Sequence, residues 1–374
     1  MKKGFIKRTK SKAHNPDKQL IITIFILIFL GLILLVSASS EVSRINTGNP
    51  YYYFFRQLLY GVGIGLILFF ITQRVHYSFW QKQAVLILMF CIFLLALVFV
   101  PQIGISHGGS KRWINLGFAS FQPSELVKLG FIIYLAAWLE KRKTETKTFS
   151  QGVIPFLIIV SLIGFFIILQ PDVGTLGAIA LIGLSMFWWG GAKMTHVLFI
   201  VILGIGLVLI LVQLAPYRMN RIIAYLNPNI DPLGIGYQSR QASLAIGSGG
   251  LFGLGPGHSR QKFNYLPSPQ SDSIFAIAAE EYGFIGASIL IFIYLFLTIK
   301  GLKIAKNSPD RFASLTAAGI SFWIFIQAFI NIGAVSGLIP LTGITLPLIS
   351  YGSSSMISLL AALGILVNIS KYST

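Results

Sequence analysis

Long apolar runs separated by shorter polar segments set the pattern of the whole chain. A helix needs roughly 20 consecutive apolar residues to cross a bilayer. The pattern therefore predicts an all-α fold, a polytopic membrane helical bundle with ten transmembrane helices that forms a single domain over residues 1–374. The ten runs cover residues 20–39, 54–73, 83–101, 122–139, 152–169, 173–189, 195–214, 273–299, 313–336 and 345–369.

The composition excludes a soluble protein. Of the 374 residues, 55% are hydrophobic and only 11% are charged, a balance that would leave a soluble domain with a largely apolar surface. Cys91 is the only cysteine, so no disulfide can form within one chain, and the five histidines are far apart in the sequence. No metal site is predicted from these residue types.

Basic residues outnumber acidic ones by 29 to 11, and their distribution indicates the orientation in the membrane. Residues 1–19 form a basic segment before the first apolar run, and further clusters occur at 141–147 and 299–311. Ten spans place both termini on one side, and the positive-inside rule makes that side the cytoplasm. The basic residues are spread over many short loops, which argues against nucleic acid as a partner.

The longest polar segment, 215–272, joins the seventh and eighth apolar runs and is predicted to be a large extracytoplasmic loop. Loops held over a helical scaffold commonly carry binding and catalytic residues, so the active site is expected on this side. Six glycines lie within residues 246–257, where they would permit positive φ angles and close approach of a ligand. A nucleotide-binding phosphate loop is not predicted, because the lysine and hydroxyl residue that complete such loops are absent.

Three acidic residues, Asp272, Glu280 and Glu281, lie close together where the eighth run begins. Charged side chains are costly in a membrane, so this crowding indicates a function. Asp272, at the outer interface, is a candidate general base, since partial burial raises the pKa of a carboxyl toward the working pH. Spacing alone leaves open that Asp272 only caps the eighth helix. Glu280, about 12 Å deeper along a helix, could pair with a buried cation.

Two further polar groups lie at predicted helix ends. Pro123 is placed to start a helix, and Glu125 and Lys128 are three residues apart, so their side chains are neighbours on one helical face. An intramembrane ion pair that holds the fourth helix is the first interpretation, and contact with a substrate is the second. Asp172 is expected to cap the turn between the fifth and sixth helices.

Nine basic residues are expected on the outer side of the membrane. Arginine binds phosphate through bidentate, charge-assisted hydrogen bonds, so several such groups near a carboxylate would suit a lipid-linked pyrophosphate. Contact with anionic lipid headgroups or loop carbonyls is the alternative for each of them. The nine are Arg44, Arg56, Lys111, Arg112, Arg218, Arg221, Arg240, Arg260 and Lys262.

Seven stretches of the chain occur in an order typical of one known family. They read SKRWINLG, FQPSELVK, QPDVGT, GYQSRQASLAIGSGG, GLGPGHSRQKFNYLP, SDSIFAIAAEEYG and GLIPLTGITLPLISYGSSS. Over essentially its whole length, the chain resembles the SEDS proteins (shape, elongation, division and sporulation), which are membrane peptidoglycan polymerases. The fifth and seventh stretches are more similar to the division members of that family than to its elongation members.

The resemblance implies a ten-helix glycosyltransferase that joins lipid II disaccharides outside the membrane and releases undecaprenyl pyrophosphate. The family's catalytic aspartate falls on Asp272, although its surroundings read QSDSIFA where the family usually has HTDFIFA. The acid is kept, while Gln270 replaces the histidine. Asp272 is therefore the predicted catalytic residue of an inverting transfer. The predicted substrate-binding residues are Arg112, Glu125, Lys128, Arg240, Lys262, Glu280 and Glu281.

Partners and location also follow from the resemblance. Lipid II and the growing glycan-lipid are the expected substrates. A class B penicillin-binding protein transpeptidase, divisome proteins and membrane lipids are the expected partners. The expected location is the bacterial cytoplasmic membrane at the division septum, with both termini cytoplasmic. No cofactor is expected to be bound permanently, and a divalent cation, Mg²⁺ or Mn²⁺, would be shared with the pyrophosphate.

Three alternatives stay open from the sequence. A lipid II flippase or other transporter would also use intramembrane charges, whereas a scaffold that only recruits a transpeptidase would need none. An elongation-type polymerase would perform the same transfer at another place in the cell. A polymerisation assay run beside a flipping assay separates enzyme, transporter and scaffold.

Overall fold

Helices make up most of the chain in this computed structural model, which describes residues 13–373 except 108–109, 116, 118, 228–229 and 232–233. Most of the basic segment 1–19 therefore lies outside the described residues. Two π-helical stretches, Gln57–Gly63 and Phe149–Val153, run directly into the helices that follow them. The α-helices of the described chain are α1 Lys18–Thr47, α2 Tyr52–Arg56, α3 Ile64–Arg74, α4 Tyr77–Leu97, α5 Pro123–Lys141, α6 Ile154–Leu169, α7 Val173–Trp189, α8 Met194–Gln213, α9 Pro216–Leu226, α10 Tyr237–Ser248, α11 Ile274–Lys306, α12 Arg311–Val335 and α13 Ser353–Ser370.

Within the described residues, eight helical stretches are long and apolar enough to cross a membrane. The other two predicted spans are also helical, but α5 carries several charges and α7 is short, so the number ten stays a prediction. Large apolar side chains cover the outside of the bundle, with Phe29 64% exposed and Ile202 69% exposed. A surface of this kind is compatible with lipid and not with water, so the protein is an integral membrane protein.

The centre of the bundle is formed by α5, α12 and α13. Almost every residue of α13 is buried, and α12 packs against α5, α7, α11 and α13. In α8, by contrast, only Leu211 and Val212 are buried, so this helix lies at the periphery. Polar side chains on α12, notably Gln327 and Asn331, are therefore enclosed by protein, at 1% exposure each.

A small antiparallel sheet adds to the predicted helices. Strands β1 (Gly104–His107), β2 (Ser110–Asn115) and β3 (Ser120–Phe121) pair in that order in the segment between α4 and α5. In β2, Ile114 is buried and Lys111 is exposed. The strands are short and polar, so their alternation does not stand out beside the long apolar runs.

The predicted outer loop 215–272 contains two helices, α9 and α10. Pro216 suits the first turn of α9 because that position needs no N–H donor. The apolar and polar residues of α9 separate strongly onto opposite faces, and Arg218 anchors the helix by donating to Leu211 O at the end of α8 (2.8 Å). This is the pattern of a helix that lies along a membrane surface.

The last predicted span, 345–369, is helical only from Ser353. Residues 336–352, which we call the inner segment, pass through the bundle as non-helical chain. A Cβ on Gly31, in the middle of α1, would stand 2.5 Å from Leu348 O. Non-helical backbone at this depth must have its hydrogen bonds satisfied by protein. Six side chains of the described chain donate hydrogen bonds to its carbonyls: Gln57, Arg221, Tyr225, Tyr294, Gln327 and Asn331.

The two ends of the described chain meet at one end of the bundle. His14 N–H donates to Lys371 O (2.8 Å), and Asp17 N–H donates to Ser370 Oγ (3.2 Å). The Asp17 carboxylate also caps α1 by accepting from Leu20 N–H (3.0 Å). Both ends of the described chain therefore lie on the same side, as an even number of crossings requires.

Candidate active site

Asp272 lies directly before α11, and α11 runs from there toward the end of the bundle that holds the termini, where Lys300 reaches Asp17 (3.8 Å). The helix begins at Ile274 with Ser273 as its N-cap residue, and no side chain accepts a capping hydrogen bond there. The interpretation of Asp272 as a helix cap is therefore wrong.

Two neighbouring side chains donate hydrogen bonds to the Asp272 carboxylate. Ser271 Oγ donates to Oδ1 (3.1 Å), and Gln238 Nε2, on α10, donates to Oδ2 (3.4 Å). Burial raises the pKa of Asp272 above its usual value, while these hydrogen bonds and the positive charge of Arg221 oppose that rise. A carboxyl of this kind can accept a proton at a pH closer to neutral than an exposed aspartate can.

The carbonyls of residues 270–272 all accept hydrogen bonds from the inner segment or from α12. Tyr351 N–H donates to the first of them (2.8 Å), and Ser350 Oγ donates to the second. Asn331 Nδ2, on α12, donates to the third (2.8 Å). The stretch of chain that carries the candidate base is therefore docked on the most buried part of the bundle.

Arg221 is the basic residue whose charge acts on Asp272. It is exposed on α9, and its guanidinium donates to Leu341 O in the inner segment (3.1 Å). Arg240 is exposed on α10, two residues after Gln238, a step that turns about 200° around a helix. The positive charge of Arg221 thus lowers the pKa of Asp272, whereas Arg240 lies on another face of α10 than Gln238.

Arg112, on β2, holds the turn between α6 and α7. Its guanidinium donates to Gln170 O (3.0 Å) and Pro171 O (2.5 Å) and lies 3.6 Å from Asp172 Oδ2. Asp172 in turn caps α7 by accepting from Thr175 N–H (3.2 Å), which confirms its predicted capping role. These contacts of Arg112 are all with the protein's own chain, and its binding of substrate stays a prediction.

The predicted ion pair of the fourth span is confirmed. Lys128 Nζ lies 2.9 Å from Glu125 Oε1, and both side chains are buried. Lys128 Nζ also donates to Gln327 Oε1 (2.7 Å) and lies 5.1 Å from the centre of the Trp323 ring. Gln327 Nε2 donates onward to Thr345 O (3.0 Å). The pair therefore ties α5 to α12 and, through α12, to the inner segment.

Glu280 and Glu281 bind the outer loop from within α11. Glu280 accepts from Arg260 N–H (2.9 Å) and from Ser259 Oγ (2.5 Å), while Glu281 Oε1 lies 3.4 Å from Lys262 Nζ. Both glutamates are 1% exposed. The buried cation therefore pairs with Glu281, and Glu280 is held by N–H and hydroxyl donors. Lys262, Glu280 and Glu281 form a cluster that fastens the loop to α11.

The glycine-rich stretch 246–257 packs closely against α11. The helix is interrupted at Gly283, whose φ of 65° leaves the helical region, so the carbonyls of residues 280–281 lose their helical donors. The N–H groups of residues 254–255 donate to these carbonyls instead (2.9 and 3.0 Å). A Cβ on Gly253 would stand 2.1 Å from the second carbonyl oxygen. The close approach predicted from the glycines is therefore to the protein's own helix.

Replacing Gly253 with alanine should detach the outer loop from α11. The new methyl group would overlap a carbonyl oxygen, and the φ of +84° is itself unfavourable for alanine. We expect a lower melting temperature in detergent and faster proteolysis within the loop. Gly257→Ala is the matched control, because that residue has a φ of +77° but open space around it, so only a dihedral cost of about 1–2 kcal/mol applies. Equal losses in the two variants would show that the loop does not depend on this contact.

The residues that surround Asp272 do not form a metal cage. In the described parts of the chain, no group of three or more His, Cys, Asp or Glu side chains is arranged to hold an ion. A single carboxylate supplies too few oxygen ligands for a resident Mg²⁺. A divalent cation that arrives with the pyrophosphate stays a prediction.

The sequence of this chain matches a family model described as cell cycle protein, which covers FtsW, RodA and SpoVE, over residues 18–374. The chain belongs to this family, the SEDS family. Stage V sporulation protein E of Bacillus subtilis is 43% identical to it over 97% of this chain and 99% of that protein. A probable peptidoglycan glycosyltransferase FtsW of Geobacter sulfurreducens is 37% identical over 91% of each chain.

Solved structures share the SEDS fold along nearly the whole chain. A chain of a peptidoglycan synthase complex, studied for its coordination of polymerization and crosslinking, superposes with a TM-score of 0.80 at 28% identity and covers 95% of this chain and 97% of that one. The rod shape determining protein RodA of Thermus thermophilus gives a TM-score of 0.70 at 27% identity and covers 95% and 96%. These similarities confirm the predicted family and its helical membrane fold.

Several residues around Asp272 carry no charge, and the sequence analysis did not select them. Gln238 and Ser350 lie within stretches that resemble the SEDS family, which was the available signal for them. Gln327 and Asn331 are polar residues four positions apart in an apolar run, a spacing that places both on one helical face. Arg221 was grouped with the other outer cations, because sequence alone does not show which of them lies near the acid.

Proposed function

We propose that this SEDS protein is a peptidoglycan glycosyltransferase that joins a lipid-linked glycan to lipid II and releases undecaprenyl pyrophosphate. The observation that carries the proposal is the setting of Asp272, a half-buried carboxylate at the end of the bundle opposite the described chain ends, whose pKa is raised by burial, a rise that the charge of Arg221 opposes. Relatives named peptidoglycan glycosyltransferase FtsW support it, since they match this chain over most of its length.

In the proposed reaction, Asp272 takes the proton from the 4-hydroxyl of the incoming lipid II. That oxygen forms a bond to the anomeric carbon of the growing glycan-lipid, and the bond from this carbon to the pyrophosphate breaks. The electron pair leaves on the phosphate oxygen, so a single displacement inverts the anomeric carbon and gives a β-1,4 linkage. Pyrophosphate needs no general acid where cations neutralise its charge, and Arg221 is placed to contribute.

The same proposal sets the orientation of the protein. The Asp272 end faces outward from the bacterial cytoplasmic membrane, where lipid II units are joined, and both termini are cytoplasmic. The basic residues of segment 1–19 support this orientation through the positive-inside rule. The description of the family as cell cycle proteins supports a place of work at the division septum.

A class B penicillin-binding protein is the proposed transpeptidase partner, with divisome proteins as further partners. The similar chain from a peptidoglycan synthase complex supports this proposal, because that complex coordinates polymerization with crosslinking.

A second cellular role has its own support. The 43% identity to a sporulation protein favours the same transfer during sporulation, and deletion of the gene would separate a division defect from a spore defect.

Purified lipid II, supplied to the full chain in liposomes with a class B penicillin-binding protein, tests the proposed activity. Glycan strands without flipping of lipid II between leaflets would support the enzyme. Flipping without glycan strands would replace the enzyme by a transporter. A chain that does neither, yet binds the transpeptidase, would be a scaffold.

As the pH is lowered, the rate of glycan synthesis should begin to fall at a higher pH than it would with an aspartate base of ordinary pKa. The base acts in its ionised form, and burial raises the pKa of Asp272, so the rate falls as the pH drops through that raised value. The Arg221 charge lowers this pKa, so Arg221→Gln should move the acid limb to still higher pH. Initial rates measured from acidic to neutral pH check both shifts. If Arg221→Gln and the control Arg240→Gln shift the acid limb equally, Arg221 is not the residue whose charge lowers the pKa of Asp272.

A further inference from the structure

Asn331 is a buried amide in the last turns of α12 that binds no charged side chain. One of its Nδ2 hydrogen bonds reaches Asp272 O (2.8 Å), and the other reaches Ile344 O in the inner segment (2.7 Å). The side chain is 1% exposed. The two carbonyls belong to separate non-helical pieces of the chain, so this single amide joins the stretch before α11 to the inner segment.

The side-chain amide of Asn331 does not stabilise α12, the helix that carries it. The backbone of α12 is already paired within the helix, and asparagine is no better a helix former than Ile330 and Ile332 beside it. Burying an amide is costly unless its hydrogen bonds are made. Both donors of Asn331 point away from α12 to carbonyls that have no helical partner, because α11 begins only at Ile274. Asn331 therefore stabilises the structure through the two carbonyls to which it donates.

A second amide one turn earlier repeats the arrangement. Gln327 Nε2 donates to Thr345 O (3.0 Å), so Gln327 and Asn331 hold two consecutive carbonyls of the inner segment from one face of α12. The inner segment in turn holds the two residues before Asp272 through Ser350 and Tyr351. The backbone at Asp272 is thus fixed from the inner segment on one side and from α12 on the other.

We propose that Asn331 is a positioning residue that sets the place and direction of the Asp272 carboxylate without touching substrate. This inference rests on the proposed function, in which Asp272 is the base. The hydrogen bonds from Ser271 and Gln238 to the carboxylate are long enough to allow movement, at 3.1 and 3.4 Å, so the backbone contact is what fixes it. A displacement of about 1 Å at a reacting group can cost about a hundredfold in rate.

Asn331→Ala removes both donors and is the variant that tests the proposal. We expect kcat for glycan synthesis to fall about tenfold to a hundredfold while KM stays within about twofold, because only the placement of the base changes. The acid limb of the pH profile should move to lower pH, since a displaced carboxylate becomes better hydrated. Loss of stability alone would produce neither the split between kcat and KM nor the shift of the pH profile.

Asn368 provides a matched control at the opposite end of the bundle. It is 2% exposed on α13, donates to Gln73 O (2.8 Å) and accepts from Tyr77 N–H (3.0 Å). Asn368→Ala therefore removes an equally buried amide that bridges two other pieces of chain. We expect a comparable fall in melting temperature, with kcat and the pH profile of the folded fraction unchanged.

A chemical probe measures the position of residue 272 without relying on activity. Cys91 is the only cysteine, so Cys91→Ala gives a chain without thiols, and Asp272→Cys then adds one at the site. Adding Asn331→Ala should raise the rate of alkylation by a water-soluble maleimide several-fold, whereas adding Asn368→Ala should leave it unchanged. Equal alkylation rates in the two backgrounds would overturn the positioning role even if no glycan assay succeeded.

The activity measurements separate failure of this inference from failure of the proposed function. If wild type makes glycan, Asp272→Asn does not, and Asn331→Ala retains the wild-type kcat, Asn331 does not position the base. If Asp272→Asn retains full activity, the proposed role of Asp272 fails, and the inference fails with it. A kcat loss in Asn331→Ala accompanied by faster alkylation supports the proposal.

Discussion

Replacement of Asp272 by asparagine is expected to abolish detectable glycan synthesis. The amide keeps the size of the carboxylate, and its one oxygen can still accept from either Ser271 or Gln238, the two donors seen at this site. It cannot take a proton from an attacking hydroxyl. General base catalysis contributes roughly 10²–10⁴-fold, so the residual rate should fall by about that factor. The measurement is the initial rate of lipid II polymerisation by the reconstituted chain with its transpeptidase partner.

Asp310→Asn is the matched control for this experiment. Asp310 caps α12 by accepting from Ala313 N–H (2.9 Å), and it also accepts from Tyr77 OH (2.8 Å) at the end of the bundle away from Asp272. The substitution makes the same chemical change at a structural carboxylate, so the rate should stay near that of wild type. Polymerisation by Asp272→Asn at the Asp310→Asn rate would assign the base to another residue.

Replacement of Lys128 by methionine should destabilise the protein more than any other single change considered for the core. Methionine keeps the apolar stem beside Trp323, but Glu125 is left as a buried carboxylate without its cation. Removing one partner of a buried pair typically costs about 3–5 kcal/mol. The expected result is a much shorter half-life of the folded state in detergent at elevated temperature.

The double variant Glu125→Gln/Lys128→Met distinguishes the two interpretations of the pair. Because no uncompensated charge remains, the double variant should regain most of the stability that Lys128→Met loses. If the pair is structural, polymerisation recovers together with stability. A double variant that is stable but inactive would instead show that Glu125 or Lys128 contacts substrate, which the sequence analysis left open.

Residues with strong electrostatic requirements were the ones that the sequence could identify. Asp272, the Glu125–Lys128 pair and the Asp172 cap each followed from placing a charge near or within an apolar run. The family resemblance covered the fold, because its motifs recur along the whole chain. The amide and hydroxyl groups around Asp272 escaped notice, since an uncharged polar residue in an apolar run has many structural uses.

The inner segment and the break in α11 could not be read from hydropathy. Residues 345–352 adjoin the apolar run of α13 and were assigned to the same span, whereas in the structure they are non-helical and bind side chains of other helices. Gly283 interrupts α11 because the outer loop supplies replacement hydrogen bonds from residues 254–255. Both features depend on contacts between distant parts of the chain, which no local pattern records.

The inner segment also has a consequence for the order in which the protein is made. The side chains that donate to it all precede it in the sequence: Gln57, Arg221, Tyr225, Tyr294, Gln327 and Asn331. A ribosome therefore synthesises every one of these donors before residues 336–352 emerge. The segment can enter a bundle that is already prepared to satisfy its backbone, and it need never face lipid alone. Nascent chains halted before this point would lack the carbonyls that these donors bind in the complete bundle, which makes such chains natural targets for membrane quality control.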